Sequence, residues 1–178
     1  REVASQTLRE TLRAMGLVQS QSLVRLVAAL RRRVWALCAY QPAAVRVNID
    51  TTVSTVYGAI EGARKGHNPK HRGKKGLRPV LCFLAETREY LCGTQRRGET
   101  MSSAEVARQI RQFRRLLPEC VRRVLVCGDA EFIGWESVQA CADEGLAFIF
   151  GNKRCAPPFP DPGWYRHGPC DYNACEYQ

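Results

Sequence analysis

Residues 45–52 read Val-Arg-Val-Asn-Ile-Asp-Thr-Thr, and residues 123–129 read Arg-Val-Leu-Val-Cys-Gly-Asp. In the first stretch apolar and polar residues alternate up to Asp50, which is typical of a strand with one buried face. In the second stretch a continuous apolar run precedes Asp129, which indicates a strand buried on both faces of a mainly parallel sheet. Each of the two predicted strands therefore ends in an aspartate.

The segment between these strands predicts a hairpin and a helix. Residues 80–85 and 90–95 form two apolar runs separated by a short polar turn, as in a β-hairpin with one apolar face. Ser102 and Glu105 have the spacing of a capping box, which opens a helix that Pro118 ends. The predicted buried stripe of this helix is Val106, Ile110, Phe113 and Leu117. The predicted solvent-facing residues are Arg108, Arg111, Arg114 and Arg115, and DNA contact by some of these arginines is the alternative.

A second helix and a last strand follow Asp129. The helix covers about residues 135–144, and residues 146–150 form an apolar run that predicts another buried strand. The chain thus predicts an α/β fold, a mixed sheet of order β-β-β-α-β-α-β with helical cover, in residues 45–150.

The two ends of the chain differ from this core. Residues 1–44 predict an N-terminal helical segment that ends near Gln41-Pro42. Its predicted buried stripe is Leu23, Val27, Leu30, Val34 and Leu37, which favours a helix docked on the next domain over the alternative of an arm that also contacts DNA phosphates. Residues 151–178 hold five of the nine prolines, which indicates the start of an insertion or C-terminal region.

Composition indicates a globular protein with a polyanionic partner. The chain has 178 residues, 27 Lys and Arg against 17 Asp and Glu, and a net charge of +10. Such an excess is typical of proteins that bind nucleic acid, and a merely soluble basic protein is the alternative that charge alone leaves open. No apolar run reaches the roughly 18 residues that a membrane span needs, and no signal peptide opens the chain.

Residues 58–78 carry much of this charge. Seven cations stand there against the single acid Glu61, and glycines recur at Gly58, Gly62 and Gly66. Such a composition favours a flexible loop that follows a phosphate backbone, although a merely solvated loop is the alternative. The predicted DNA-binding residues are Arg64, Lys65, Lys70, Arg72, Lys74, Lys75 and Arg78.

The nine cysteines do not form a disulfide pattern. Their number is odd, no Cys-x-x-Cys pair occurs, and most lie in apolar runs, which predicts small buried residues in a reducing compartment. His167, Cys170 and Cys175, with the more distant Cys155, could offer zinc ligands, but their spacing matches no standard zinc pattern.

The aspartates at the strand ends predict metal-assisted chemistry. Two neighbouring carboxylates repel each other unless a cation or a proton intervenes, and Mg²⁺ binds carboxylates together with phosphate oxygens. Two metals about 3.5–4 Å apart can clamp the attacking and leaving oxygens of a phosphoryl displacement. Asp50 and Asp129 are therefore the candidate metal ligands and catalytic residues, although Asp50 could also simply cap a turn.

At residues 20–150 the chain resembles the catalytic core of the DDE-type transposases of bacterial insertion sequences, which have a ribonuclease-H-like fold. The resemblance rests on Asn48-Ile-Asp-Thr-Thr, the glycine-spaced loop through Gly66-His-Asn-Pro, the hairpin after it and Gly128-Asp-Ala-Glu-Phe. It implies that Asp50 and Asp129 are the first two acids of a catalytic triad. It also implies cleavage and strand transfer of transposon ends in double-stranded DNA with two Mg²⁺ or Mn²⁺ ions.

Two departures from the family qualify this prediction. Ala130 and Glu131 replace a common Ser-Gly after the second acid, so Glu131 is either an added supporting acid or a sign of a decaying copy. The triad's glutamate should lie in a Tyr-x-x-Arg-x-x-x-Glu pattern, which is missing. Glu176 is the one glutamate in residues 151–178, and we expect the true glutamate beyond Gln178, in a longer protein of which this is an inactive piece.

The resemblance further implies a homodimer on DNA, in the bacterial cytoplasm near the nucleoid. The alternatives are a DNA-binding remnant or domesticated module without catalysis, and a complete two-acid nuclease of the same fold.

Overall fold

The computed structural model describes residues 5–66, 68 and 71–151, and the backbone of two short strands at 165–166 and 173–174. The helices are α1 (Ser5–Ala14), α2 (Leu17–Leu37), α3 (Ser103–Leu116) and α4 (Trp135–Asp143). The strands are β1 (Ala44–Thr51), β2 (Ser54–Thr55), β3 (Arg64–Lys65), β4 (Lys75–Leu77), β5 (Val80–Leu84), β6 (Tyr90–Thr94), β7 (Arg123–Gly128), β8 (Ala147–Phe150), β9 (Tyr165–Arg166) and β10 (Asn173–Ala174). Within the described residues, no helix has the length and apolar character to cross a membrane.

The main sheet has five strands in the order β6-β5-β1-β7-β8. β1 pairs antiparallel with β5 and parallel with β7, and β7 pairs parallel with β8. The hairpin β5–β6 and the helices α3 and α4 occupy the places that the sequence predicts for them. The predicted mixed sheet of order β-β-β-α-β-α-β with an N-terminal helical extension is therefore confirmed.

The core lies on one face of this sheet. In β1 the residues alternate between buried and exposed, with Val47 fully buried and Asn48 and Asp50 exposed. The buried residues of β1, β5 and β7 form one apolar cluster with the inner faces of α3 and α4, including Ile110 and Phe113. Because these helices cover a single face, the opposite face of β1 is open among the described residues.

The N-terminal segment differs from its prediction. It forms two helices separated at Met15 and Gly16, and the predicted buried stripe from Leu23 to Leu37 is between 38% and 78% exposed. The buried residues of α2 are instead Ala28, Arg31 and Trp35.

Polar contacts of Arg31 and Trp35 explain why this face of α2 is the buried one. Arg31 Nε donates to Glu89 Oε2 at 3.0 Å, and Trp35 Nε1 donates to the other oxygen of the same carboxylate at 3.2 Å. Arg31 also donates to the carbonyl of Tyr90. A buried guanidinium needs such partners. The face of α2 that carries Arg31 and Trp35, and not its most apolar stripe, therefore packs against the hairpin.

The last strand of the main sheet also differs from its prediction. β8 was expected to be buried, yet Phe148 is 39% and Ile149 is 61% exposed. β8 lies at the edge of the sheet with β7 as its one neighbour, so apolar composition alone does not give it cover on both faces.

The start of α3 is held by the predicted capping box. Ser102 Oγ accepts from the backbone N–H of Glu105, and Glu105 Oε2 accepts from the backbone N–H of Ser102. Arg96 pairs with the Glu105 carboxylate at 2.8 Å. Partial burial favours a higher pKa for Glu105, but the hydrogen bonds from Ser102 and the charge of Arg96 outweigh burial and lower its pKa below the ordinary value.

Glu105→Gln should lower the free energy of unfolding at pH 7 by about 0.5–1 kcal/mol, because the charge at the helix N-terminus is lost. A lowered pKa means that this stabilisation is present above the ordinary value of 4.5 and disappears as the pH falls through the folded-state pKa. Urea titrations should therefore show the wild type and the variant converging at low pH. Glu119→Gln, at an exposed acid, is the control, and a difference that stays constant with pH would contradict the assignment.

Candidate active site

The two predicted site aspartates lie at the ends of adjacent parallel strands. The last paired residues of β1 and β7 are Asn48 and Cys127. Two residues further along each strand direction are Asp50 and Asp129, which therefore occupy corresponding positions. Because side chains alternate between the faces of a strand, both follow the residues of the open face, opposite the buried Val47 and its neighbours.

The strand ends pack closely enough to require a glycine before Asp129. A Cβ atom at Gly128 would lie 2.9 Å from Ile49 Cγ2 and 2.9 Å from Phe132 Cδ2. Atoms in proteins do not approach a Cβ so closely, so any side chain at Gly128 would push the two strand ends apart. The residue that precedes one aspartate thus packs directly against the residue that precedes the other.

Each aspartate is exposed and oriented by one backbone hydrogen bond. Asp50 Oδ1 accepts from the N–H of Thr51 at 2.7 Å, and Asp129 Oδ1 accepts from the N–H of Glu131 at 2.9 Å. The Oδ2 atom of each carboxylate accepts no hydrogen bond from the part of the chain that the structure describes. These carboxylates are therefore held at one end and available to a ligand at the other.

The chemistry of this site fits a hard divalent cation. Two carboxylates, with a substrate phosphate and water completing the coordination, are a common donor set for Mg²⁺. A cavity of about 490 Å³ opens beside Asp50 on the uncovered face, where Asn48, Thr52 and Phe83 contribute to its wall. Among the described residues no group of three or more His, Cys, Asp or Glu side chains could hold a metal. The site is thus a two-carboxylate site in that part of the chain.

A buried ion pair joins the loops that follow the two strands. Glu131 Oε2 accepts hydrogen bonds from the Arg78 guanidinium and from Thr51 Oγ1, and Glu131 Oε1 accepts from the backbone N–H of Met101 at 3.2 Å. The side chains of Arg78 and Glu131 are 9% and 12% exposed. Both Glu131 oxygens thereby accept hydrogen bonds from within the protein. Glu131 therefore connects the loops around the two aspartates and is not available as a further metal ligand.

This pairing corrects one predicted DNA contact. Arg78 was expected at the surface of a cationic loop, but its guanidinium is buried against Glu131 and Thr51. A desolvated carboxylate holds the guanidinium more strongly than solvent does at this position, so Arg78 belongs to the scaffold of the site.

The described residues of the remaining cationic segment include two short strands, β3 and β4, and do not form a simple loop. β2, β3 and β4 form a small antiparallel sheet in the order β2-β4-β3. Gly66 packs so tightly on Gly98 that a Cβ there would lie 1.9 Å from the Gly98 carbonyl oxygen. The exposed cations of this sheet and its connections are Arg64, Lys65, Arg72, Lys74 and Lys75.

This small sheet extends from the same end of β1 that carries Asp50. β2 begins three residues after Thr51, and the N–H of Thr52 donates to the carbonyl of Pro79 at 3.1 Å. β4 leads through Arg78 directly into β5, the antiparallel neighbour of β1. The exposed cations are therefore connected to the edge where the two aspartates lie.

Several predicted site residues fall outside the described part of the chain. Lys70 of the cationic segment and Glu176, the candidate third acid, are among them. The candidate zinc ligands Cys155, His167, Cys170 and Cys175 lie there as well.

Glu131→Gln should lower the free energy of unfolding by about 3 kcal/mol, because the buried Arg78 guanidinium loses its counter-charge. The double variant Arg78→Met/Glu131→Met removes both charges, so its loss should be clearly smaller than the sum of the losses of Arg78→Met and Glu131→Met. Urea unfolding of the wild type and these variants measures the coupling.

Arg46→Met provides the control for this cycle. Arg46 forms an ion pair with Glu86 whose arginine side chain is 60% exposed, so its loss should cost less than about 1 kcal/mol. Strictly additive losses at Arg78 and Glu131 would contradict the described pairing.

Comparison with known families gives a match over most of the chain. A family model described as transposase DDE domain group 1 matches residues 1–156. No curated protein matches the chain.

Transposases are among the proteins whose solved structures are similar to this one. The cryo-EM structure of a piggyBac transposase synaptic complex with hairpin DNA is 15% identical, with a TM-score of 0.49, over 89% of this chain and 32% of that one. The crystal structure of the catalytic domain of Mos1 mariner transposase is 10% identical, with a TM-score of 0.41, over 75% and 61%. A Mos1 mariner paired end complex with Mn is 14% identical, with a TM-score of 0.40, over 82% and 50%. The chain thus spans less than two thirds of the length of each of these proteins.

Proposed function

The chain belongs to the transposase DDE domain group 1 family, and on this premise we propose that Asp50 and Asp129 hold divalent metal for phosphodiester cleavage and strand transfer of DNA ends. The observation that carries the proposal is the position of the two carboxylates. They end adjacent parallel strands at corresponding positions and lie on the open face of the sheet, with one oxygen of each hydrogen-bonded to backbone.

The protein's own contribution is to place two negative charges side by side without neutralising them. Arg78, at the end of the small sheet, is committed to Glu131, and neither Asp50 nor Asp129 forms an ion pair with another described residue. Bound Mg²⁺ or Mn²⁺ would supply Lewis-acid activation of the attacking oxygen and stabilisation of the leaving oxygen. Asp50 and Asp129 would fix where that chemistry occurs, since the backbone N–H groups of Thr51 and Glu131 orient their carboxylates.

The exposed cations of the small sheet would hold the substrate's phosphate backbone. Arg64, Lys65, Arg72, Lys74 and Lys75 lie on an element that continues from the strand carrying Asp50. Phosphate contacts of this kind fix the register of a duplex without reading its sequence. The proposed partner is therefore the double-stranded DNA of transposon ends, bound by a homodimer in the cytoplasm of a bacterium that carries the insertion sequence.

Asp50→Asn and Asp129→Asn should each weaken Mn²⁺ binding at least tenfold, because a neutral amide replaces a charged oxygen ligand. Isothermal titration of the full chain with Mn²⁺ measures the affinity. Asp143→Asn is the control, since Asp143 lies on α4 and pairs with Arg111. If both site variants bind Mn²⁺ like the wild type, the aspartates hold no metal and a DNA-binding module without catalysis becomes the better account.

Lys74→Ala/Lys75→Ala should weaken binding to duplex DNA and should lower the steepness with which affinity falls as salt rises. Two lost phosphate contacts correspond to a change of about 1.8 in the slope of log K against log salt. Fluorescence anisotropy of a labelled duplex at several salt concentrations measures both quantities. The double variant Arg9→Ala/Arg13→Ala on α1 loses the same charge away from the small sheet and should change the slope much less.

A further inference from the structure

A second basic surface lies between α2 and α3, on elements that do not carry Asp50 or Asp129. A groove of about 500 Å³ is lined on α3 by Arg108, Arg111, Gln112 and Arg115, and on α2 by Gln21, Val24 and Arg25. No acidic side chain is among the described residues that line this groove. We call these residues the helix groove.

Three arginines of the helix groove are available to a ligand. Arg25, Arg108 and Arg115 are exposed, and none of them forms an ion pair with another described residue. Arg111 is instead held by Asp143 of α4 at 3.1 Å. Unneutralised guanidinium groups that share one groove repel each other, so the arrangement favours a polyanion.

The spacing of these cations suits a phosphate backbone. Arg108, Arg111 and Arg115 recur at intervals of three and four residues, so they share one face of α3. From Arg108 to Arg115 the helix rises by about 10.5 Å, and a DNA duplex of that length carries about six phosphates. Gln21 and Gln112 add neutral donors, which also suit phosphate oxygens.

The helix groove is continuous with the small basic sheet. Arg108 and Gln112 also line a neighbouring groove of about 580 Å³ that includes Arg97. Arg97 in turn forms a β-bridge with Leu77, the last residue of β4. Two acids also line this connecting groove: Glu105 pairs with Arg96 at 2.8 Å, and the exposed Glu99 pairs with Arg64 at 4.0 Å. A basic path therefore runs from α2 and α3 toward the element that joins the strand of Asp50.

We propose that the helix groove is a second DNA-binding site, which holds the phosphate backbone of a duplex segment beyond the one at the aspartates. The proposal rests on the proposed function in taking DNA as the polyanion, but it does not depend on metal binding by Asp50 and Asp129. Acidic protein segments are a poorer match, because guanidinium and amide donors here are arrayed over a length that a continuous phosphate backbone fills.

The decisive experiment removes the three available arginines from the full chain. Arg25→Gln/Arg108→Gln/Arg115→Gln should reduce the salt slope of affinity for a 40-base-pair duplex by about 2.7, and lower affinity at least tenfold in moderate salt. A matched control, Arg9→Gln/Arg122→Gln/Arg123→Gln, removes three exposed arginines that do not line either groove. A slope equal to that of the control would overturn the proposal.

Further variants separate this site from the aspartates and from a loss of folding. The corresponding triple Lys variant keeps the charge and should keep most of the slope, whereas a full loss of the slope in that variant would overturn the charge argument.

Mn²⁺ affinity should be unchanged in the triple Gln variant, and the salt slope for DNA should be unchanged in Asp50→Asn. If the aspartate variants bind Mn²⁺ like the wild type while the triple Gln variant still reduces the salt slope, the proposed catalytic site is rejected and the second DNA-binding site is not. Displacement of DNA by poly-glutamate at equal charge concentration would overturn the assignment to nucleic acid.

Discussion

The parallel pairing of β1 with β7 is the constraint on which the site depends. It brings together two residues that are 79 positions apart in the sequence, and its register places Asp50 and Asp129 at corresponding strand ends. A slip of one residue would turn one carboxylate into the apolar core. The register is fixed by the buried alternation of β1 and by Gly128, whose missing side chain lets the strand ends pack together.

Around these carboxylates, charged side chains that form ion pairs are buried, and charged side chains that could bind a ligand are exposed. Arg78 and Glu131 are buried and form an ion pair, although Arg78 Nη1 has no hydrogen-bond partner among the described residues, and Arg31 pairs with Glu89 under α2. The aspartates and the cations of the small sheet remain exposed. Buried charges without partners would destabilise the fold, whereas exposed charges cost little and stay free to bind metal or phosphate. The described part of the chain thus combines buried ion pairs with exposed surfaces of opposite sign, on which Arg64 alone of the small-sheet cations pairs with an acid, Glu99.

The sequence predicted the sheet well because its signals were local. The alternation of apolar and polar residues identified β1, and the capping box identified the start of α3. Local signals of this kind were sufficient to predict the order of helices and strands along the chain. The rotation of α2 and the burial of Arg78 depend on carboxylates far away in the sequence, at Glu89 and Glu131, so periodicity and charge density mispredicted them. β8 was mispredicted because composition does not tell an edge strand from a central one. DNA contact was an open alternative for the α3 arginines and for the N-terminal helix, but their union in one groove was not predicted, because α2 and α3 contribute its arginines separately.

In the proposed active site, Asp50 and Asp129 bind divalent metal at one shared site. Paramagnetic broadening of backbone amide signals by substoichiometric Mn²⁺ tests it directly, because Mn²⁺ affects only nuclei near the ion. We expect the amides of Thr51 and Glu131, which donate to the two carboxylates, to broaden together at the lowest Mn²⁺ concentrations. Broadening of only one of them, or broadening that begins elsewhere in the described chain, would contradict it.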